Sequence, residues 1–146
     1  MALDLINKLK SKNNLSQSEA KNFIDSVLQG EIKKNILTDF LRLLNAKGFC
    51  AKELTGFAEA MREVSNKVYY DGDIVDNCGT GGDGLKTFNI STTASLIASS
   101  SGVCVAKHGN KAITSNSGSA DILESSGINI KLTPQQVSVC LEKLNF

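Results

Sequence analysis

Between Ser16 and Gly30, Ala20, Phe23, Ile24, Val27 and Leu28 recur at the three- and four-residue spacing of an amphipathic helix. Ahead of them Ser16-Gln17-Ser18-Glu19 has the form of a capping box, in which hydroxyl and carboxylate each satisfy a free backbone N–H, and Gly30 supplies the stop. Leu5, Ile6 and Leu9 among lysines predict an earlier helix that Asn13-Asn14 ends. Leu37, Phe40, Leu41 and Leu44 predict a third up to Gly48; Leu54, Phe57, Ala58, Met61 and Val64 predict a fourth. Four short helices joined by short turns make an antiparallel helical module over about residues 2–67, hence a first domain of residues 1–68.

The texture changes near Val68-Tyr69-Tyr70-Asp71-Gly72. Asp73-Ile74-Val75-Asp76 reads as a short buried strand, residues 91–101 as a helix, and Gly102-Val103-Cys104-Val105-Ala106 as a second strand. Strand, helix, strand is a βαβ unit, which requires a parallel sheet with both strands emptying toward one edge. Ser117 to Glu124 predicts another helix, and Ile128-Asn129-Ile130 a short strand. A last helix is capped by Thr133, opened by Pro134 and striped by Val137, Cys140, Leu141 and Leu144. The fold class is therefore α/β: a small N-terminal helical domain, then residues 69–146 as the beginning of a parallel-sheet domain. With two or three strands, that sheet would be poorly covered, so the domain reads as truncated.

Composition changes this picture little. The 146 residues are 41% hydrophobic and 21% charged, enough apolar material for a core. A formal charge of +1 gives no electrostatic footprint for nucleic acid or an anionic membrane. Cys50, Cys78, Cys104 and Cys140 lie too far apart for a Cys-x-x-Cys metal or redox pair and read as reduced thiols. The N-terminal residues lack the form of a signal peptide and no apolar run reaches membrane length, so a cytoplasmic protein is expected.

The chemistry concentrates in Asp76-Asn77-Cys78-Gly79-Thr80-Gly81-Gly82-Asp83-Gly84. Its glycines can take positive φ and bring bare backbone N–H groups against a ligand. Asn89, Ser91 and Thr92 behind them are helix-starting residues, so a helix N-terminus and a glycine nest would aim at one point and attract phosphate. Gly79-x-Gly81-x-x-Gly84 meets the letter of the dinucleotide pattern, but the helix starts late and no acidic residue about 20 positions on holds a ribose. A P-loop would need Lys directly after its last Gly, where Leu85 stands. By spacing alone, a glycine-rich surface turn and plain helix capping account for these residues as well. His108 is the only histidine, and with no Cys, His or Glu beside it in sequence it reads as a polar pocket wall.

Taken in order, Asp76-x-x-Gly-Thr-Gly-Gly-Asp83, Thr87-Phe-Asn-Ile-Ser-Thr92, Lys107-His-Gly-Asn110 and Ser117-Gly-Ser-Ala-Asp121 strongly resemble the anthranilate phosphoribosyltransferase family of tryptophan biosynthesis, which shares its fold with pyrimidine nucleoside phosphorylases. The resemblance covers essentially the whole chain, including the helical N-terminal part. It implies a helical domain that forms a homodimer, joined to an α/β domain with the active site in the cleft between. It also implies transfer of phosphoribose from 5-phosphoribosyl 1-pyrophosphate (PRPP) to the amine of anthranilate, with Mg²⁺.

Carried over residue by residue, it implies PRPP contacts from Gly79, Gly81, Gly82, Asp83, Thr87, Asn89, Ile90, Ser91, Thr92, Lys107, His108, Gly109, Asn110, Ser115 and Ser119. Ser91 is implied as a Mg²⁺ ligand, and Gly79 and Asn110 as anthranilate contacts. The family's anthranilate-binding arginine and an Asp-Glu pair for a second Mg²⁺ come later in its sequence than Phe146, so the resemblance implies an N-terminal portion with little activity alone. A nucleoside phosphorylase of the same fold and a non-catalytic dimerising module are the rival readings.

Overall fold

A computed structural model describes residues 2–78, 89–111 and 118–146. The chain separates into two compact units, Met1–Ser65 and Asn66–Phe146.

The first unit holds helices α1 (Ala2–Lys10), α2 (Gln17–Leu28), α3 (Lys34–Lys47) and α4 (Ala51–Val64). The Ser16 capping box forms as expected: Ser16 Oγ accepts from the Glu19 N–H, and Glu19 Oε2 accepts from the Ser16 N–H at 2.7 Å. The core gathers Leu5, Ile6, Leu9, Leu15, Ala20, Phe23, Phe40 and Leu44. The Phe23 and Phe40 rings stack with centroids 3.7 Å apart, and Phe57 meets Phe40 edge-on at 6.2 Å.

α4 turns a different face inward from the one its apolar spacing predicts. Leu54, Met61 and Val64 are more than half exposed, whereas Glu53, Gly56 and Ala60 are buried against neighbours that include α2. Gly56 sets this close approach: a Cβ there would strike the Gln17 carbonyl oxygen and stand 2.9 Å from the Lys21 nitrogen. Glu53 is tolerated inside because Oε1 accepts from the Leu15 N–H at 2.9 Å, while Oε2 accepts from the Cys50 N–H at 2.9 Å and from Lys47 Nζ at 3.0 Å. Leu28 and Leu41, also predicted inward, lie about half exposed at the margins of their helices.

The second unit contains α5 (Ile90–Ser100), α6 (Ser119–Ser125) and α7 (Pro134–Leu144) among the described residues. The two predicted strands pair in parallel, but only through a single bridge, Val75 with Val105. The Val75 N–H donates to the Cys104 carbonyl and the Ala106 N–H to the Val75 carbonyl, both at 3.0 Å. α5 is the crossover between them. Residues 128–130 carry no strand. α7 is capped by Thr133, buries Leu141, leaves Leu144 exposed, and ends in left-handed Asn145, whose carbonyl receives the Val105 N–H at 2.9 Å.

Within α5 the buried positions are Thr92, Ser95 and Ser99, one helical stripe of hydroxyls, while Ile90, Leu96 and Ile97 are exposed. Two of these buried hydroxyls donate to neighbouring segments. Ser99 Oγ bonds the Leu144 carbonyl at 3.0 Å, and Ser95 Oγ bonds Asn77 Oδ1 at 2.7 Å.

Candidate functional site

The bridge fixes which side chains share a face. With Val75 opposite Val105 in parallel register, Asn77 stands opposite Lys107, and Asp76 and Cys78 fall on the other face together with His108. The side-chain contacts follow this alternation on both faces.

On the α5 face, Lys107 Nζ donates to Asn77 Oδ1 at 3.1 Å and lies 3.4 Å from Ser91 Oγ. Asn77 Nδ2 donates to the Ser91 carbonyl at 3.0 Å, which orients the amide so that its oxygen accepts from both Lys107 and Ser95. Asn89 caps α5: its Oδ1 accepts from the Thr92 N–H and from Ser91 Oγ, each at 3.0 Å. An ammonium, a hydroxyl and a helix N-terminus therefore meet at the strand ends, an arrangement suited to an anion. Thr92 is 1% exposed, and its hydroxyl oxygen has no hydrogen-bond partner among the described residues.

On the other face, Asp76 Oδ1 accepts from the His108 N–H at 3.2 Å. Partial desolvation pushes the Asp76 carboxyl up, but the His108 and Asn77 N–H groups, the Cys78 thiol and the Lys107 charge outweigh it and hold the group below its ordinary value of 3.8. Asp76 is thus an anion at neutral pH. Beyond the strand end, Gly109 packs on α6, where a Cβ would come 2.9 Å from Ser119 Cβ. The Asn110 carbonyl accepts from the Ala120 N–H at 3.2 Å, and Asn89 Nδ2 reaches Ser119 Oγ at 3.4 Å.

Of the residues singled out in the sequence, Asn89, Ser91, Thr92, Lys107, His108, Gly109, Asn110 and Ser119 lie around these strand ends and helix starts. Ile90 opens α5 with its side chain exposed. Gly79, Gly81, Gly82, Asp83, Thr87 and Ser115 lie outside the described residues. Asn77 and Ser95 were given no role by the motifs, yet both hold the Lys107–Ser91 corner together. The available signal was strand alternation, which places Asn77 opposite Lys107 once the register is known.

Family models agree with this organisation. Residues 3–65 match the helical bundle domain of a glycosyl transferase family, and residues 71–146 match the a/b domain of the same family. The chain belongs to that glycosyl transferase family. Its relatives include anthranilate phosphoribosyltransferases from Acetivibrio thermocellus and Pelagibacter ubique, each 45% identical over 97% of this chain. The crystal structure of anthranilate phosphoribosyltransferase from Thermus thermophilus superposes with a TM-score of 0.87 at 35% identity, over 98% of this chain. The match spans 41% and 42% of the two curated relatives and 44% of the crystallised chain. The resemblance read from the four motifs is thereby borne out.

Proposed function

We propose that this chain serves an anthranilate phosphoribosyltransferase, carrying phosphoribose from PRPP to the amine of anthranilate and releasing pyrophosphate in tryptophan biosynthesis. The supporting observation is the corner where Lys107, Ser91 and the N-terminus of α5 meet at the ends of two parallel strands. The C1 to pyrophosphate bond breaks while positive charge builds on the ribose, so the protein's task is to hold the leaving group and present the amine to C1. Lys107 pairs with phosphate charge, the α5 N-terminus receives phosphate oxygens, and the Thr92 hydroxyl takes a partner from the substrate. Gly79, Gly81, Gly82, Asp83, Thr87 and Ser115 complete the cradle in this reading, with Asn110 on the anthranilate side. Anthranilate attacks as a neutral aniline, so no strong enzymic base is required.

Mg²⁺ fits the donor chemistry: Ser91 Oγ would hold it as a hard oxygen ligand beside the proposed phosphate position, with water and phosphate supplying most of the shell. The ion would supply positive charge to the departing pyrophosphate there. In the same reading the helical unit forms a homodimer through apolar residues left exposed, including Leu41, Leu54 and Met61, and the protein works in the cytoplasm. Thermal shift separates this function from a nucleoside phosphorylase. Stabilisation by PRPP with Mg²⁺ is expected, and stabilisation by phosphate with thymidine or uridine alone would contradict the proposal.

A further inference from the structure

The face of the strand pair turned away from Lys107 carries a cluster of mixed donors, of which the family resemblance gives only His108 a substrate contact. Asp76 and Cys78 are two residues apart on one strand, and the parallel register places His108 on the same side. Their carboxylate oxygen, thiol sulfur and imidazole nitrogen all lie within 4.8 Å of one another. Sequence distance hid this cluster, since His108 has no partner residue near it in the chain and Cys78 belongs to no Cys-x-x-Cys pair.

We propose that Asp76, Cys78 and His108 form a binding site for a borderline transition-metal ion of the zinc class, with a fourth position open to solvent or a small ligand. One sulfur, one nitrogen and one oxygen donor is the mixture that such ions select over Mg²⁺ or Ca²⁺. Ligand atoms around tetrahedral zinc stand roughly 3.5 Å apart, given bonds of about 2.0–2.3 Å. All three side chains are exposed, so small rotations close the remaining gap. The carboxylate is already steadied by the His108 N–H on Oδ1, and its bond with the Cys78 thiol draws two of the three donors together. The Lys107 ammonium bonds Asn77 Oδ1 on the opposite face of the strand pair. On binding, the Cys78 thiol gives its proton to solvent and ligates as thiolate, so affinity rises with pH. The inference does not rest on the proposed activity.

The test is a titration of tag-free protein with Co²⁺ in excess Mg²⁺, followed by visible and near-ultraviolet absorption. One equivalent should bind, with a thiolate-to-cobalt charge-transfer band and the intense visible bands of four-coordination, and Zn²⁺ should displace it. Cys78→Ser should abolish the charge-transfer band. His108→Gln should weaken binding on the order of ten- to a hundredfold, at least what removal of an outer-shell partner does. Cys50→Ser and Cys140→Ser, tested separately, should leave the spectrum unchanged. Circular dichroism verifies that each variant is folded. Absence of binding, binding without the band, or a band that survives Cys78→Ser would each overturn the proposal.

Discussion

The Lys107 ammonium and the Asn77 side-chain oxygen lie 3.1 Å apart because the Val75–Val105 bridge sets their residues opposite one another in parallel strands. Asn77 also holds Ser91 through its carbonyl and receives Ser95, so one neutral amide ties the cation to the start of α5. An amide suits this place: it accepts from Lys107 without neutralising it, leaving the full charge for an incoming phosphate.

Asn77→Ala should therefore weaken PRPP binding without unfolding the protein. Losing a hydrogen bond of this kind costs about 0.5–1.5 kcal/mol, on the order of two- to tenfold in Kd. Asn77→Asp should weaken it more, because a carboxylate would pair with Lys107 and repel phosphate. Calorimetric titration of both variants checks the order.

Thr92→Val separates a structural from a binding role for the buried hydroxyl. The isosteric change removes a hydroxyl with no partner among the described residues, so thermal stability should hold or rise. PRPP affinity should nonetheless fall if the hydroxyl bonds substrate. Unchanged affinity would assign Thr92 to packing alone.

The helical unit should be acid-sensitive through Glu53. Burial pushes its carboxyl up, but the Leu15 and Cys50 N–H groups and Lys47 outweigh this and hold it below its ordinary 4.5. A depressed folded pKa contributes stability that is present above 4.5 and lost as pH falls through the lower folded value. Glu53→Ala should cost about 3–5 kcal/mol, since it leaves the Lys47 ammonium, its side chain only 5% exposed, with the neutral acceptors Asn14 and Gly48 and no counter-charge. Urea unfolding from pH 7 to 3 should show the wild type losing stability over this range, and the variant losing less.

Gly56→Ala tests the packing of α4 on α2. The added methyl meets backbone rather than a movable side chain, so a loss of about 1–3 kcal/mol is expected despite alanine's better helix propensity. A stabilised variant would contradict the close approach.

These helix contacts also mark where sequence reading runs out. The Ser16 box, the Phe23–Phe40 core and the Thr133–Pro134 start were legible because their signals are local and periodic. The inward face of α4 was not. Its apolar stripe, Leu54 and Met61, lies outside, while a glycine and a carboxylate face in for reasons that reside in residues 15, 17, 21 and 47. At the candidate site, Ser91 and Lys107 were legible from motif order. The Asn77–Ser95 bond and the Asp76–Cys78–His108 cluster were not, because both depend on a strand register that no single segment encodes.

The central claim, a Mg²⁺-assisted pyrophosphate cradle built on Ser91 and Lys107, is tested most directly by calorimetric titration of PRPP with and without Mg²⁺. Wild type, Ser91→Ala and Lys107→Ala should be compared, each verified as folded by circular dichroism. PRPP should bind wild type in a Mg²⁺-dependent manner. Each substitution should weaken binding by about 1.5–3 kcal/mol, the range for a charge-assisted contact, or on the order of ten- to more than a hundredfold. Folded variants that bind PRPP as tightly as wild type, or wild-type binding indifferent to Mg²⁺, would contradict it.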